Sequence, residues 1–417
     1  MSILKVASPQ LLMTIVCDTV MSSQLVSGLL LLWITFVGWK LWKELKKRSK
    51  KFNDKLPSDT AVFESELKAD FKPVDSDSNP ESNTELRSVS SQSSAVLDKI
   101  IPVPDDFDWE KTEPRAYRPF KNAPYHLTMG LKKCDYNDFL LIENTYKDVT
   151  KIRGEIVENN RDNTVLSHPM ADDAIREVYD WFIDYMVQKY PKYFVRDENN
   201  PVVHNNINNV TIPGYSTAFG DDIGGMIRTL SKNVEEDFLI LIFDEESDQY
   251  YLRAGSFAFP SGFNPAMKLN LPLKDVHGPV PMYKEKLQVP MDRYFKKIPA
   301  GSFVMRNNWT VQAHTNLYAP IQNHVHDDNL EIVPLKRQEL DFSEVLFRSE
   351  RQILTRLPKT GHVLFTIRTY TAPMTEIKQE GKGPDLIGAI QNLPPIMARY
   401  KNALKWGPAV IEYMSED

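Results

Sequence analysis

Cysteine is nearly absent: 417 residues contain two, Cys17 and Cys134, and no Cys-x-x-Cys pair. That excludes a disulfide framework and any cysteine-built zinc or iron–sulfur centre, and points to a reducing compartment. Glycine is sparse beside proline, 17 against 28, so stiff loops are expected. No Gly-rich nucleotide loop, Walker motif, kinase set or Ser-His-Asp elbow is present. Nor is there an internal repeat. The net charge of −6 carries no nucleic-acid signature, and none is expected as a partner. What remains is ordinary globular composition, 42% hydrophobic and 25% charged.

Long apolar runs are equally scarce. The strongest is Leu25 to Trp39, extended to Trp42 if Lys40 snorkels. This is short against the roughly 20 residues that a membrane span needs. Trp33, Trp39 and Trp42 suit interfacial positions, and Lys40 to Lys51 holds seven basic residues among twelve. A cleaved signal peptide should have small residues after its apolar core, whereas bulky Trp and Lys follow this one. An uncleaved anchor over residues 25–42 is therefore the expectation, with an amphipathic surface helix as an alternative. The basic side would face the cytosol. The short span suits a thin bilayer such as the endoplasmic reticulum. Residues 1–24 precede it, and residues 43–100, basic and then rich in Ser and Asp, read as a disordered tether.

Periodic patterns begin near Ile101 and define a domain over 101–417. A helical stripe runs through Asn137 to Asn160, and a second helix follows Ser167-His168-Pro169. A third is expected over Asp222 to Glu235. Strands follow at Phe238 to Phe243, Tyr250 to Phe259 and Phe303 to Gln312. Phe347-Arg348-Ser349-Glu350-Arg351-Gln352 reads as another strand, which turns on Pro358-Lys359-Thr360-Gly361 and returns through His362 to Tyr370. Helices resume after Gly383-Pro384 and Pro394-Pro395. The fold class is α+β: an antiparallel sheet of about five strands flanked by helices.

Charged strand residues must face water, pair, or hold a ligand. Alternation sets Arg348 and Glu350 on one face and Arg351 on the other. These arginines could grip carboxylates, or form a structural ion-pair lattice. Glu350 could hold a cationic amine or brace Arg348. Of eight histidines, His277 stands out, pinned between Val276 and Gly278-Pro279. A ring held on a stiff corner suits an axial metal or haem ligand, though it could equally cap a turn. His324 and His326 resemble a metal pair without a third ligand, and His126 and His314 read as single polar residues.

The stretch FRSERQILTRLPKTGHVLFTIRTY resembles the signature of the haem-dependent oxidative N-demethylase alpha-subunit-like proteins. These include the dimethylamine monooxygenase large subunit and fungal relatives called the HRQ family. Other blocks are similar to that family in the same order. They are Tyr125 to Leu131, Val234 to Phe238, Phe259-Pro260-Ser261, Lys268, His277 to Pro281 and Arg306 to Thr310. Glu235 stands where the family usually has glutamine. The resemblance spans about Pro102 to Tyr413. It implies a PAS-like sheet holding haem b through a histidine, and oxidative removal of an N-methyl group with oxygen and an external reductase. On this chain it implies His277 as the iron ligand. Arg348, Arg351, Asn308 and Trp309 are implied as cofactor contacts, with Glu350 as the catalytic candidate facing a small amine. A non-catalytic haem sensor or carrier and a structural protein remain alternatives.

Overall fold

The computed structural model describes residues 99–327 and 329–416. The expected anchor and nearly all of the expected tether lie outside the described residues. Among the described residues, no helix is long and apolar enough to cross a membrane.

Among the described residues, ten strands form two antiparallel sheets. They are β1 (Lys132–Lys133), β2 (Val165–Ser167), β3 (Phe194–Arg196), β4 (Val202–Asn205), β5 (Val210–Pro213), β6 (Glu236–Asp244), β7 (Gln249–Ser256), β8 (Val304–Gln312), β9 (Leu346–Arg356) and β10 (Val363–Pro373). The large sheet has the order β1-β8-β9-β10-β6-β7-β2, and β3-β4-β5 form the small one. The five long strands are thus contiguous, and they make up the antiparallel sheet of about five strands that the sequence pattern predicts, with β1 and β2 added at its edges. The helices are α1 (Tyr146–Asn159), α2 (Arg161–Thr164), α3 (Asp172–Lys189), α4 (Ile223–Ser231), α5 (Leu273–Val276), α6 (Gln288–Lys297), α7 (Met374–Gln379), α8 (Gly383–Gln391), α9 (Pro395–Tyr400) and α10 (Ala403–Ser415).

β6 reads as an unbroken apolar run because both of its faces are covered. Phe238, Ile240 and Ile242 join the core beneath α3, where Phe182 meets Phe238 edge-on with ring centroids 5.8 Å apart. Leu239 and Leu241 point the other way and line a cavity. Beyond the α3 layer, α8 to α10 bury Leu386, Met397, Trp406 and Val410 in a second cluster with Phe347 and Val311. The opposite face is roofed by residues 257–298, with Phe257, Leu273 and Phe295 on Leu241, Leu252 and Leu354. Each such side chain contributes roughly 1.5–3 kcal/mol on burial.

Helix starts follow local chemistry. His168 accepts the Met170 N–H and Pro169 opens the turn before α3. Asp222 accepts the Gly225 N–H and starts α4, which ends at Ser231 rather than Glu235. The first stripe is helical only from Tyr146. Its expected first half is instead a short 3-10 turn, Tyr136–Asp138, followed by buried Phe139 to Ile142. Arginines of the sheet explain the difference. Arg351 donates to the Asp138 and Phe139 carbonyls, and Arg368 to that of Leu141, replacing the bonds a helix would supply.

Candidate functional site

The cavity between the sheet and its roof has a volume of about 330 Å³. Alternate residues of successive elements line it: Arg306 and Asn308 from β8, Glu350, Gln352 and Leu354 from β9, Phe365 and Ile367 from β10. Tyr125, Leu127, Met129 and Leu131 enter from a segment that keeps the same alternation. Leu252, Phe257, Phe263, Val276 and Met291 add apolar walls to a chamber that also holds charged and imidazole side chains, a mixture suited to a small-molecule site.

His277 follows the last residue of α5, whose single turn starts at Pro272-Leu273 and ends against Gly278-Pro279. The backbone N–H of His277 donates to the Leu273 carbonyl at 3.0 Å, and ring Nδ1 lies 3.0 Å from the same oxygen. The ring stacks on Tyr283, centroids 4.9 Å apart and planes within 14°. Enclosure by protein pulls its pKa down to about 4, the carbonyl contact opposes this, and the Arg306 and Lys268 charges add to it. At neutral pH the imidazole is uncharged. With Nδ1–H committed to a carbonyl, Nε2 carries the lone pair. Those are the requirements for an iron ligand.

Glu350 sits on the wall near Lys401. Arg348 Nε contacts its Oε1 at 3.2 Å, and Gln352 Nε2 donates to Oε2 at 3.0 Å. Asn308 Nδ2 approaches Oε2 at 3.4 Å. Lys401 comes from the residue after α9, and its ammonium donates to the Trp309 carbonyl at 2.7 Å. Burial lowers its pKa to about 8, against the attraction of Glu350. Arg306 makes no ion pair among the described residues, and its Nε is buried without a partner. Burial lowers its pKa as well.

The family described as haem-dependent oxidative N-demethylase, alpha subunit-like, matches residues 130–411. The chain belongs to this family. Haem is accordingly its cofactor. The cavity fits that group on three counts: a neutral histidine with Nε2 free of the carbonyl contact, an unpaired arginine suited to a propionate, and apolar walls.

Other residues expected at the site of this N-demethylase-family protein fall elsewhere. Arg348 shares the face of Glu350 but does not line the cavity. It donates to the Phe259 and Leu317 carbonyls at 2.6 and 3.3 Å and braces the roof. Arg351 and Trp309 project from the opposite face, so neither lines this cavity. Arg351 holds the 138–139 carbonyls, and Trp309 stacks on Phe347 at 5.8 Å. His324 and His326, which resemble a metal pair without a third ligand in the sequence, line the cavity. His324 stacks on Tyr400 at 4.4 Å, and burial takes its pKa down to about 3. His326 Nε2 contacts the Gly262 carbonyl at 2.6 Å. No cluster of three metal-ligating side chains occurs among the described residues. His126 is exposed, and His314 contacts Asn323 at 3.0 Å.

Sequence reasoning passes over two cavity residues. Arg306 was detectable, since strand alternation sets it on the face of Asn308. Lys401 leaves no such signal, because it arrives from a helix outside the sheet.

Proposed function

We propose that this chain binds haem b through His277 and oxidatively removes an N-methyl group from a small methylated amine. The observation that carries the reading is the Nδ1 contact to the Leu273 carbonyl, which leaves Nε2 of a neutral ring for the iron. When bound, haem supplies oxygen activation and one-electron chemistry. Overall, one O2, two electrons and two protons convert an N-methyl group into N–H, formaldehyde and water. Arg306 and Lys268 would hold the propionates, and Glu350 would hold the amine as a cation. The leucines and phenylalanines of the walls exclude water. The seven-stranded antiparallel sheet with a cavity on one face supports the PAS-like reading. A separate reductase would supply the electrons, since two cysteines cannot ligate a cluster of the chain's own.

Purified full-length protein supplied with haem should show a Soret band, and His277→Ala should lose or shift it. A wild-type chain that folds and never shows the band overturns the reading. A band without oxygen-dependent formaldehyde from any amine and reductase tried leaves the sensor or carrier alternative. We propose further that residues 25–42 anchor the chain, most naturally in the endoplasmic reticulum, with the domain cytosolic. Release of the full-length protein from membranes by alkaline carbonate would count against this.

A further inference from the structure

Glu350 and Lys401 stand near each other on the cavity wall as opposite charges that do not form an ion pair. The Asn308 carboxamide lies between them. Its Nδ2 is 3.4 Å from Glu350 Oε2, and its Oδ1 is 3.5 Å from Lys401 Nζ. Direct neutralisation, the cheapest fate for two buried charges, is thereby avoided. Lys401 is 7% exposed and has three N–H donors, of which only the one to Trp309 is short.

The charge balance of the cavity points the same way. Asp237 is spent on Arg153, 2.9 Å away, and on the N–H groups of Ala258 and Phe259. Glu350 is shared with Arg348. Lys268, Arg306 and Lys401 have no carboxylate in ion-pair range among the described residues, although all three line the cavity. Two haem propionates would answer two of these cations, and the third is left. A simple methylamine brings only positive charge. It would satisfy Glu350 and leave a buried ammonium without a counterion.

We infer that the substrate is a zwitterion, an N-methyl α-amino acid. Its methylated ammonium rests against Glu350 and its carboxylate against Lys401. A molecule with one carbon between its two charges matches a wall with one carboxamide between its two charges. This assignment rests on the haem reading for the reaction and for the charge count, whereas the Glu350–Asn308–Lys401 arrangement is independent of it.

Full-length protein, with and without haem, is titrated by calorimetry with N-methylglycine and separately with dimethylamine, and the haem-loaded form also by its Soret shift. N-methylglycine should bind at least about tenfold more tightly, the effect of one added buried charge contact. Lys401→Met should erase that preference, and Lys401→Arg should keep part of it. Dimethylamine binding as tightly as N-methylglycine to the wild-type chain overturns the inference, whatever the variants do. So does a folded Lys401→Met protein that keeps the preference. If no Soret band forms but calorimetry still shows the preference, the haem reading fails and the zwitterion site stands.

Discussion

Arg306 is a charged side chain in a cavity wall without a carboxylate beside it, an arrangement that burdens the empty protein. Arg306→Leu should therefore raise the melting temperature of the haem-free chain by about 2–6 °C, as removal of one uncompensated charge worth about 1–2 kcal/mol implies. The same variant should lose haem faster, read as transfer to an acceptor protein. An unchanged melting temperature together with unchanged haem transfer would refute the propionate assignment. Arg351 makes the opposite case. Its guanidinium supplies the only hydrogen bonds that tie the 138–139 carbonyls to the sheet among the described residues. Arg351→Met should lower the unfolding free energy by about 2–3 kcal/mol, read by urea denaturation, and leave the Soret band in place. Alternation in the sequence already separates Arg351 from Glu350. Its role as a cofactor contact follows only from the family resemblance, and the geometry gives it a structural one. The fixed placement of the His277 ring is legible because a Gly-Pro corner follows it. Lys401 is not, because nothing in a helix end far along the chain indicates which cavity it enters.

The hairpin between β9 and β10 is fixed from outside the sheet. Glu177 of α3 accepts the backbone N–H groups of Lys359 at 2.6 Å and Thr360 at 2.8 Å, both in the Pro-Lys-Thr-Gly turn. Glu177→Ala leaves two donors unmet and should cost about 2–4 kcal/mol, measured by urea unfolding with the haem spectrum as a control. A loss under about 0.5 kcal/mol would show that the turn holds itself. The roof has its own fixed point at Gly262, with φ +73 and an added Cβ placed only 2.3 Å from His324 Nδ1. Gly262→Ala should displace the His324 ring and weaken ligand binding before it unfolds the domain. At this scale the long strands were plain in the sequence, because eight to eleven residues give alternation room to repeat. The two- to four-residue strands β1 to β5 were not, since so few positions carry no period. The helical stripe before Tyr146 misled for a different reason. Its apolar residues are buried as expected, but arginines from distant strands take its carbonyls.

Across the whole molecule, one guanidinium ties three parts of the chain together on the face away from the cavity. Arg368 of β10 meets Glu143 at 2.6 Å, Glu235 at 2.5 Å and Glu236 at 3.4 Å, all of them buried. Three carboxylates against one cation is an excess. Desolvation, and then the two neighbouring glutamates, push the Glu235 pKa up to about 7 despite Arg368. The folded chain therefore holds this proton more tightly than the unfolded chain does. That stability is fully present below the unfolded carboxyl range, near pH 4.5, and is lost as pH rises through about 7. The shift corresponds to at most about 3 kcal/mol. His277 and His324 act with the opposite sign. Their pKa values fall to about 4 and about 3, so the unfolded chain takes up their protons first and stability declines as pH drops below the ordinary histidine value of 6.5. The haem-free chain should thus be most stable in mildly acid solution, with a separate cause for each flank. Glu235→Gln, which restores the residue usual at this position in the family resemblance, removes the alkaline cause alone. Relative to the wild type, its melting temperature should rise by a margin that grows between about pH 4.5 and 7 and levels off above that. The acid flank, which belongs to the histidines, should stay where it is. A difference between the two proteins that does not change with pH would mean that Glu235 ionises as an ordinary carboxylate. Arg368 would then carry the excess charge without a shared proton.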